Sequence, residues 1–225
     1  MNNLLSVVAS LNDKGVQHLA CANFTAASES FDRALKVLAG HRTAENDDSI
    51  IRAEHSSLFL RLISVDHILN DLHAFTYTKA LTFQTKGRWV DDDALLAYGF
   101  VKYNAALLLH IQDQGDGAKS RRAFPLYLQA LRALQAVPGQ AHGGSEVTAS
   151  ATIAAISCIN NMSEVYIDFN RLEKARALML SVAALLNSLR EGQGDVLDRD
   201  SFHFFLKNET FLSMAADMGQ AAPSA

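Results

Sequence analysis

The strongest constraint in this sequence is an alternation of small and bulky residues in "LNDKGVQHLACANFTAASESFDRALKVL", Leu11 to Leu38. Gly15, Ala27 and Ala34 are small, while Phe24 and Phe31 are aromatic. Apolar residues at Leu4, Val7, Val8, Leu11, Val16 and Leu19 follow helical spacing. Asn23 is placed to cap a second helix with an apolar face of Phe24, Ala27, Phe31, Ala34, Leu35 and Leu38. Helices joined by so short a turn pack as an antiparallel hairpin. Small residues belong where helices cross closely, and Phe31 fills the wedge where they diverge.

The pattern recurs. In "INNMSEVYIDFNRLEKARALMLSV", Ser163 takes the place of Gly15, Ala175 that of Ala27 and Met179 that of Phe31. Asn170 with Glu173 reads as a capping box for the second helix of that pair. In "YNAALLLHIQDQGDGAKSRRAFPLYLQALRAL", Ala106 is the small residue and Ala123, Tyr127, Ala130 repeat the second-helix spacing. The turn there is longer, marked by Gly115 and Gly117, and Pro125 is expected in the first turn of its helix.

These units resemble the tetratricopeptide repeat, a helix–turn–helix of about 34 residues with small residues where helices touch. Leu11, Gly15, Ala22, Phe24, Ala27, Phe31 and Ala34 fall on its signature positions; His18 replaces the usual tyrosine and no proline closes the unit. The resemblance implies an all-α, right-handed α-solenoid in one domain, residues 1–218. Its units would be 8–41, 99–137 and 156–189, with a long irregular insertion at 42–98. A C-terminal capping helix, 198–218, would cover the last apolar face, and 219–225 would fray.

Within the insertion, "SIIRAEHSSLFLRLISVDHILNDLH" reads as helical. "AFTYTKALTF" alternates in a strand-like way, which favours an extended segment packed along the helices, although Tyr77 and Ala80 also fit a degenerate second helix. Asp91, Asp92 and Asp93 suit the positive start of a helix and are expected to face water. "AVPGQAHGGSE" reads as a loop with Ser145 as a cap.

A net charge of −4 gives no basic footprint for nucleic acid or anionic lipid. No run of membrane-spanning length is read, no signal peptide is recognised, and two distant cysteines make no disulfide framework. A cytoplasmic or nuclear setting is expected. The eight histidines show no metal-ligand spacing. "DQGDGAK" lacks the ligand alternation of a calcium loop, and "GDGAKS" lacks the gap of a phosphate loop. Cys21 and Cys158 are both expected to be buried, as is His18. The expectation is a non-catalytic chain with no cofactor and no metal.

In tetratricopeptide repeats the first helices line a concave binding face. The resemblance therefore implies that Asn12, Asp13 and Val16 face a groove in the first unit. Tyr103, Asn104, Leu107 and His110 would do so in the second, and Asn160, Asn161, Glu164 and Asp168 in the third. Asn104, Asn161 and Asp13 occupy equivalent positions, two residues before the small residue. An amide there either hydrogen-bonds the backbone of an extended peptide, as in some members of the family, or bonds a neighbouring helix, the commoner role. The first reading expects Asn104→Ala with Asn161→Ala to weaken peptide binding without loss of thermal stability. The places that clamp a chaperone C-terminal carboxylate in the family hold Asn12, Val16, Asn104, Ser157 and Asn161, with no Lys or Arg, which argues against that ligand class. The expected partner is a neutral or basic extended peptide or a partner helix, bound by a scaffold or adaptor. A self-associating structural protein, or an enzyme with a pocket formed by 42–98, are the alternatives.

Overall fold

Phe31 lies where a Cβ on Gly15 would have to be, so only glycine lets these two helices approach. The computed structural model describes residues 4–42, 58–65, 75–85, 91–113, 117–137, 146–193 and 197–220. Among them are seven helices: α1 Leu4–Ala20, α2 Phe24–Arg42, α3 Asp91–Ile111, α4 Ala118–Gln135, α5 Glu146–Asp168, α6 Leu172–Gln193 and α7 Arg199–Gln220. One two-stranded antiparallel sheet joins β1, Leu58–Ser64, to β2, Lys79–Thr85, with Leu62 opposite Leu81. The chain is thus mostly helical, as expected. "AENDDS", most of "AVPGQAHGGSE" with Ser145, Gly115 and the tail 221–225 lie outside the described residues.

The hairpins α1–α2 and α5–α6 turn in the same way. Ala22 and Asn170 both take a left-handed conformation, φ 56° and 53°. The next N–H in each case closes back on the preceding helix, Asn23 on His18 O and Arg171 on Tyr166 O, both at 2.8 Å. Asn23 caps α2 by accepting from Ala26 N–H at 3.3 Å. Asn170, expected as a cap of α6, instead ends α5; an asparagine tolerates that conformation better than a branched residue would.

Each helix packs on its chain neighbours, and α1, α3 and α5 also touch in series. One hydrophobic cluster runs from Leu5 in α1 to Leu212 in α7. Ala27, Phe31, Ala34, Ala106, Ala123, Tyr127, Ala130, Ala175 and Met179 are all buried in it. Pro125 lies inside α4 and not in its first turn. Asp113 explains the extra turn, since its carboxylate accepts Gly117 N–H at 3.2 Å and Ser120 N–H at 2.6 Å, starting the helix early.

Several sequence expectations are corrected. "LFLRLIS", read as helical, is β1, because β2 offers it a ladder of backbone partners. Asp93–Ile111 is long and apolar enough to cross a membrane, contrary to the sequence reading; its side chains Leu96, Phe100, Val101 and Leu107 are packed in the protein core. Asp93 is buried and does not face water. Cys21 is exposed, and only Cys158 is buried. His18 is half-buried.

Candidate functional site

Residues 75–85 run as an extended chain against α1, α3, α5 and α7. The direction of its hydrogen bonds follows from the sheet. Val65 N–H donates to Thr78 O at 3.2 Å, and Val65 and Thr78 continue the register of the pair. Antiparallel backbones alternate in direction, so Thr78, Ala80 and Thr82 point toward β1, while Tyr77, Lys79 and Leu81 point away from it. That outward edge would be buried without partners, at a free-energy cost of about 1–3 kcal/mol per polar group. Helix side chains supply the partners.

Asn104, from α3, brackets Leu81: its Oδ1 accepts Leu81 N–H at 2.8 Å and its Nδ2 donates to Leu81 O at 2.7 Å. Asn12, from α1, adds a second donor to the same carbonyl at 2.8 Å, and its Oδ1 accepts from Asn104 Nδ2. Asn161, from α5, repeats the bracket on Tyr77, accepting its N–H at 2.7 Å and donating to its carbonyl at 3.1 Å. Between them Tyr103 OH reaches Tyr77 O at 3.0 Å and Lys79 O at 3.2 Å. Burial holds the Tyr103 and Tyr127 hydroxyls well above the ordinary tyrosine range, so both stay protonated donors. At the start of the segment, Asn160 Nδ2 and Asn208 Nδ2 donate to Phe75 O at 2.8 and 3.1 Å.

Side chains fix the register. Tyr77 lies 4.5 Å from Phe205 between ring centroids, and its hydroxyl meets Ser201 Oγ at 2.8 Å. Asp198 caps α7 through Ser201 N–H at 2.9 Å and pairs with Lys79 Nζ at 2.9 Å. Partial burial raises the Asp198 carboxyl, but the Ser201 and Lys79 bonds outweigh it and leave it below its usual value. Phe83 packs on Phe100 with centroids 5.8 Å apart.

Glu164 accepts a hydrogen bond from Thr76 Oγ1, and its Oε2 lies 3.7 Å from His110 Nε2. Burial is the main cause that pushes its carboxyl up to about 8, against the lowering effect of the Thr76 bond. Glu164 is therefore mostly protonated at neutral pH. It adds little negative charge among the three carboxylates expected on this face, Asp13, Glu164 and Asp168.

Of the residues expected to line an open groove, Asn12, Tyr103, Asn104, Asn160, Asn161 and Glu164 converge on the segment 75–81, and all are buried. Val16, Leu107 and His110 are buried as well, His110 with Nδ1 3.3 Å from Tyr127 OH. Asp168 is exposed, and Asp13 is half-buried. Asp13 carries a carboxyl raised by burial, with Arg61 opposing the shift. An open cleft of about 530 Å³ beside Asp13 is lined by Ser6, Ser10, Lys14, Gln17 and Phe83. The asparagines thus bond neither solvent nor a neighbouring helix alone: they hold the chain's own extended segment.

Sequence reasoning missed Asn208 and Ser201. Their signal was present: Ser201, Phe205, Asn208 and Leu212 form one buried stripe at helical spacing, and a polar residue on such a stripe needs a buried partner. With Asn208, α7 contributes to the same face as α1, α3 and α5. Among the described residues, no group of three or more His, Cys, Asp or Glu side chains is placed to hold a metal. No family model matches this chain, and neither curated proteins nor solved structures include a match.

Proposed function

We propose that this chain is a non-catalytic protein-interaction scaffold of the tetratricopeptide-like type, a right-handed solenoid whose concave face recognises an extended chain through its backbone. The observation that carries the reading is the repeated amide bracket, Asn104 on Leu81 and Asn161 on Tyr77, at equivalent positions of two units. An amide that both donates and accepts matches one residue of any extended strand edge, whatever its side chain. Of the first-helix positions at which the resemblance placed peptide contacts, Asn12, Tyr103, Asn104, Asn160, Asn161 and Glu164 bond the chain's own extended segment in cis. The partner is a neutral or weakly basic extended segment, with Asp198 rather than Glu164 as the group that favours a cation.

Selection of short random-sequence peptides on the full chain tests this. Peptides should be recovered, and Tyr103→Phe, which removes the hydroxyl while keeping the ring, should weaken their binding. Recovery of none, or of peptides indifferent to that change, contradicts the reading.

A self-associating structural protein is the second reading, favoured by one observation: Leu206, Phe211 and Met214 on α7 are 43%, 50% and 62% exposed. Light scattering across concentration tests it, since a rising mass without any partner is its signature.

A further inference from the structure

We propose that the seat now filled by residues 75–83 is a peptide-binding site that accepts, in trans, an extended segment of a different protein patterned like Tyr77, Ala80–Leu81 and Phe83. The proposal rests on the scaffold reading above and adds the ligand's chemistry. The main-chain contacts are made by side chains of Asn12, Tyr103, Asn104 and Asn161, all carried on helices, so they remain when the strand is exchanged. The side-chain seats then select. The Tyr77 seat, walled by Phe205 and ending at Ser201 Oγ, suits an aromatic ring bearing a hydroxyl. Ala80 and Leu81 are fully enclosed, which restricts those places to a small and an aliphatic residue. The Phe83 seat against Phe100 takes a second ring. Asp198, paired with Lys79 at the exposed rim, favours a cation two residues after the first aromatic.

The occupant is another protein and not a second copy of this chain. Residues 86–90 alone separate β2 from α3. Five extended residues reach about 17 Å, and α3 is surrounded by α1, α2, α4 and α5, so a swapped strand would have to carry a central helix with it. The resident strand acts as a tethered competitor. A free segment therefore binds with an affinity reduced by the fraction of molecules whose seat is open.

The test uses the full chain with the resident strand weakened, Tyr77→Ala with Phe83→Ala, and a labelled peptide of sequence FTYTKALTF, residues 75–83. Fluorescence anisotropy should show the peptide binding the variant at least about tenfold more tightly than the wild type. A peptide with Leu81→Pro, which lacks the N–H that Asn104 accepts, should not bind. If the variant does not fold alone, the peptide should restore its helical circular dichroism. A folded variant that ignores the peptide, an unfolded one that the peptide does not restore, or binding indifferent to Leu81→Pro overturns the proposal. Dimerisation of the variant without peptide overturns the choice of occupant. Peptides selected on the wild type that Tyr103→Phe weakens, but that share nothing of the Tyr77, Ala80–Leu81 and Phe83 pattern, would leave the scaffold reading standing while removing this one.

Discussion

Asn161 holds Tyr77 by both of its backbone groups, accepting the N–H at 2.7 Å and donating to the carbonyl at 3.1 Å, across 84 residues of sequence. The same amide nitrogen also reaches Tyr127 OH at 3.1 Å, tying the strand to α4. One side chain thereby joins three parts of the fold.

Asn161→Ala should therefore destabilise the protein by about 2–4 kcal/mol, since it strips both backbone groups of a buried residue. Asn12→Ala should cost less, because Asn104 still serves the Leu81 carbonyl. Urea denaturation of the two variants checks the order. Loss of stability would favour the structural role, the commoner of the two that the sequence offered for these asparagines, over the peptide-contact reading, which expects none.

The hairpins and the equivalence of Asn104 with Asn161 were legible because both are local patterns with a helical period. "AFTYTKALTF" was legible as extended from its alternation. What could not be read was that the two features meet, since nothing local in Asn104 distinguishes a groove open to solvent from one filled by Leu81, 23 residues away. "LFLRLIS" has apolar residues on both faces, so its period is ambiguous, and its strand state depends on the β2 partner. Pro125 was misplaced because the Asp113 cap that starts α4 early lies across a loop.

Stability should fall as pH rises from about 5 through 8. The unfolded Glu164 carboxyl titrates near 4.5 and the folded one at about 8, so the native state binds the extra proton. The stabilisation is complete below the unfolded value and is lost as pH passes the folded one. Glu164→Gln, which keeps the shape and carries no charge, should flatten this dependence. Thermal midpoints across pH for both proteins are the check; parallel curves would show that another group dominates.

Gly15→Ala should cost about 1–3 kcal/mol by overpacking, because the added methyl meets the Phe31 ring. Combining it with Phe31→Leu should recover part of the loss, giving a non-additive pair in a double-mutant cycle.

Thiol titration of the native protein should give one fast cysteine. Cys21 is exposed, whereas Cys158 is fully buried and its thiol is pushed up by burial, which suppresses the reactive thiolate. Cys158 should react only when denaturant unfolds the chain, and Cys21→Ser should abolish the fast phase.

Amide hydrogen exchange at Tyr77 and Leu81 tests the central relationship most directly, because these two N–H groups are accepted by helix side chains and by no strand. Both should exchange far more slowly than an unprotected loop but faster than the α3 and α5 backbone, because the strand leaves its seat without unfolding the helices, and Asn161→Ala should release Tyr77 first. Exchange at both sites at the rate of an unprotected loop, in the folded wild-type protein, would contradict the account.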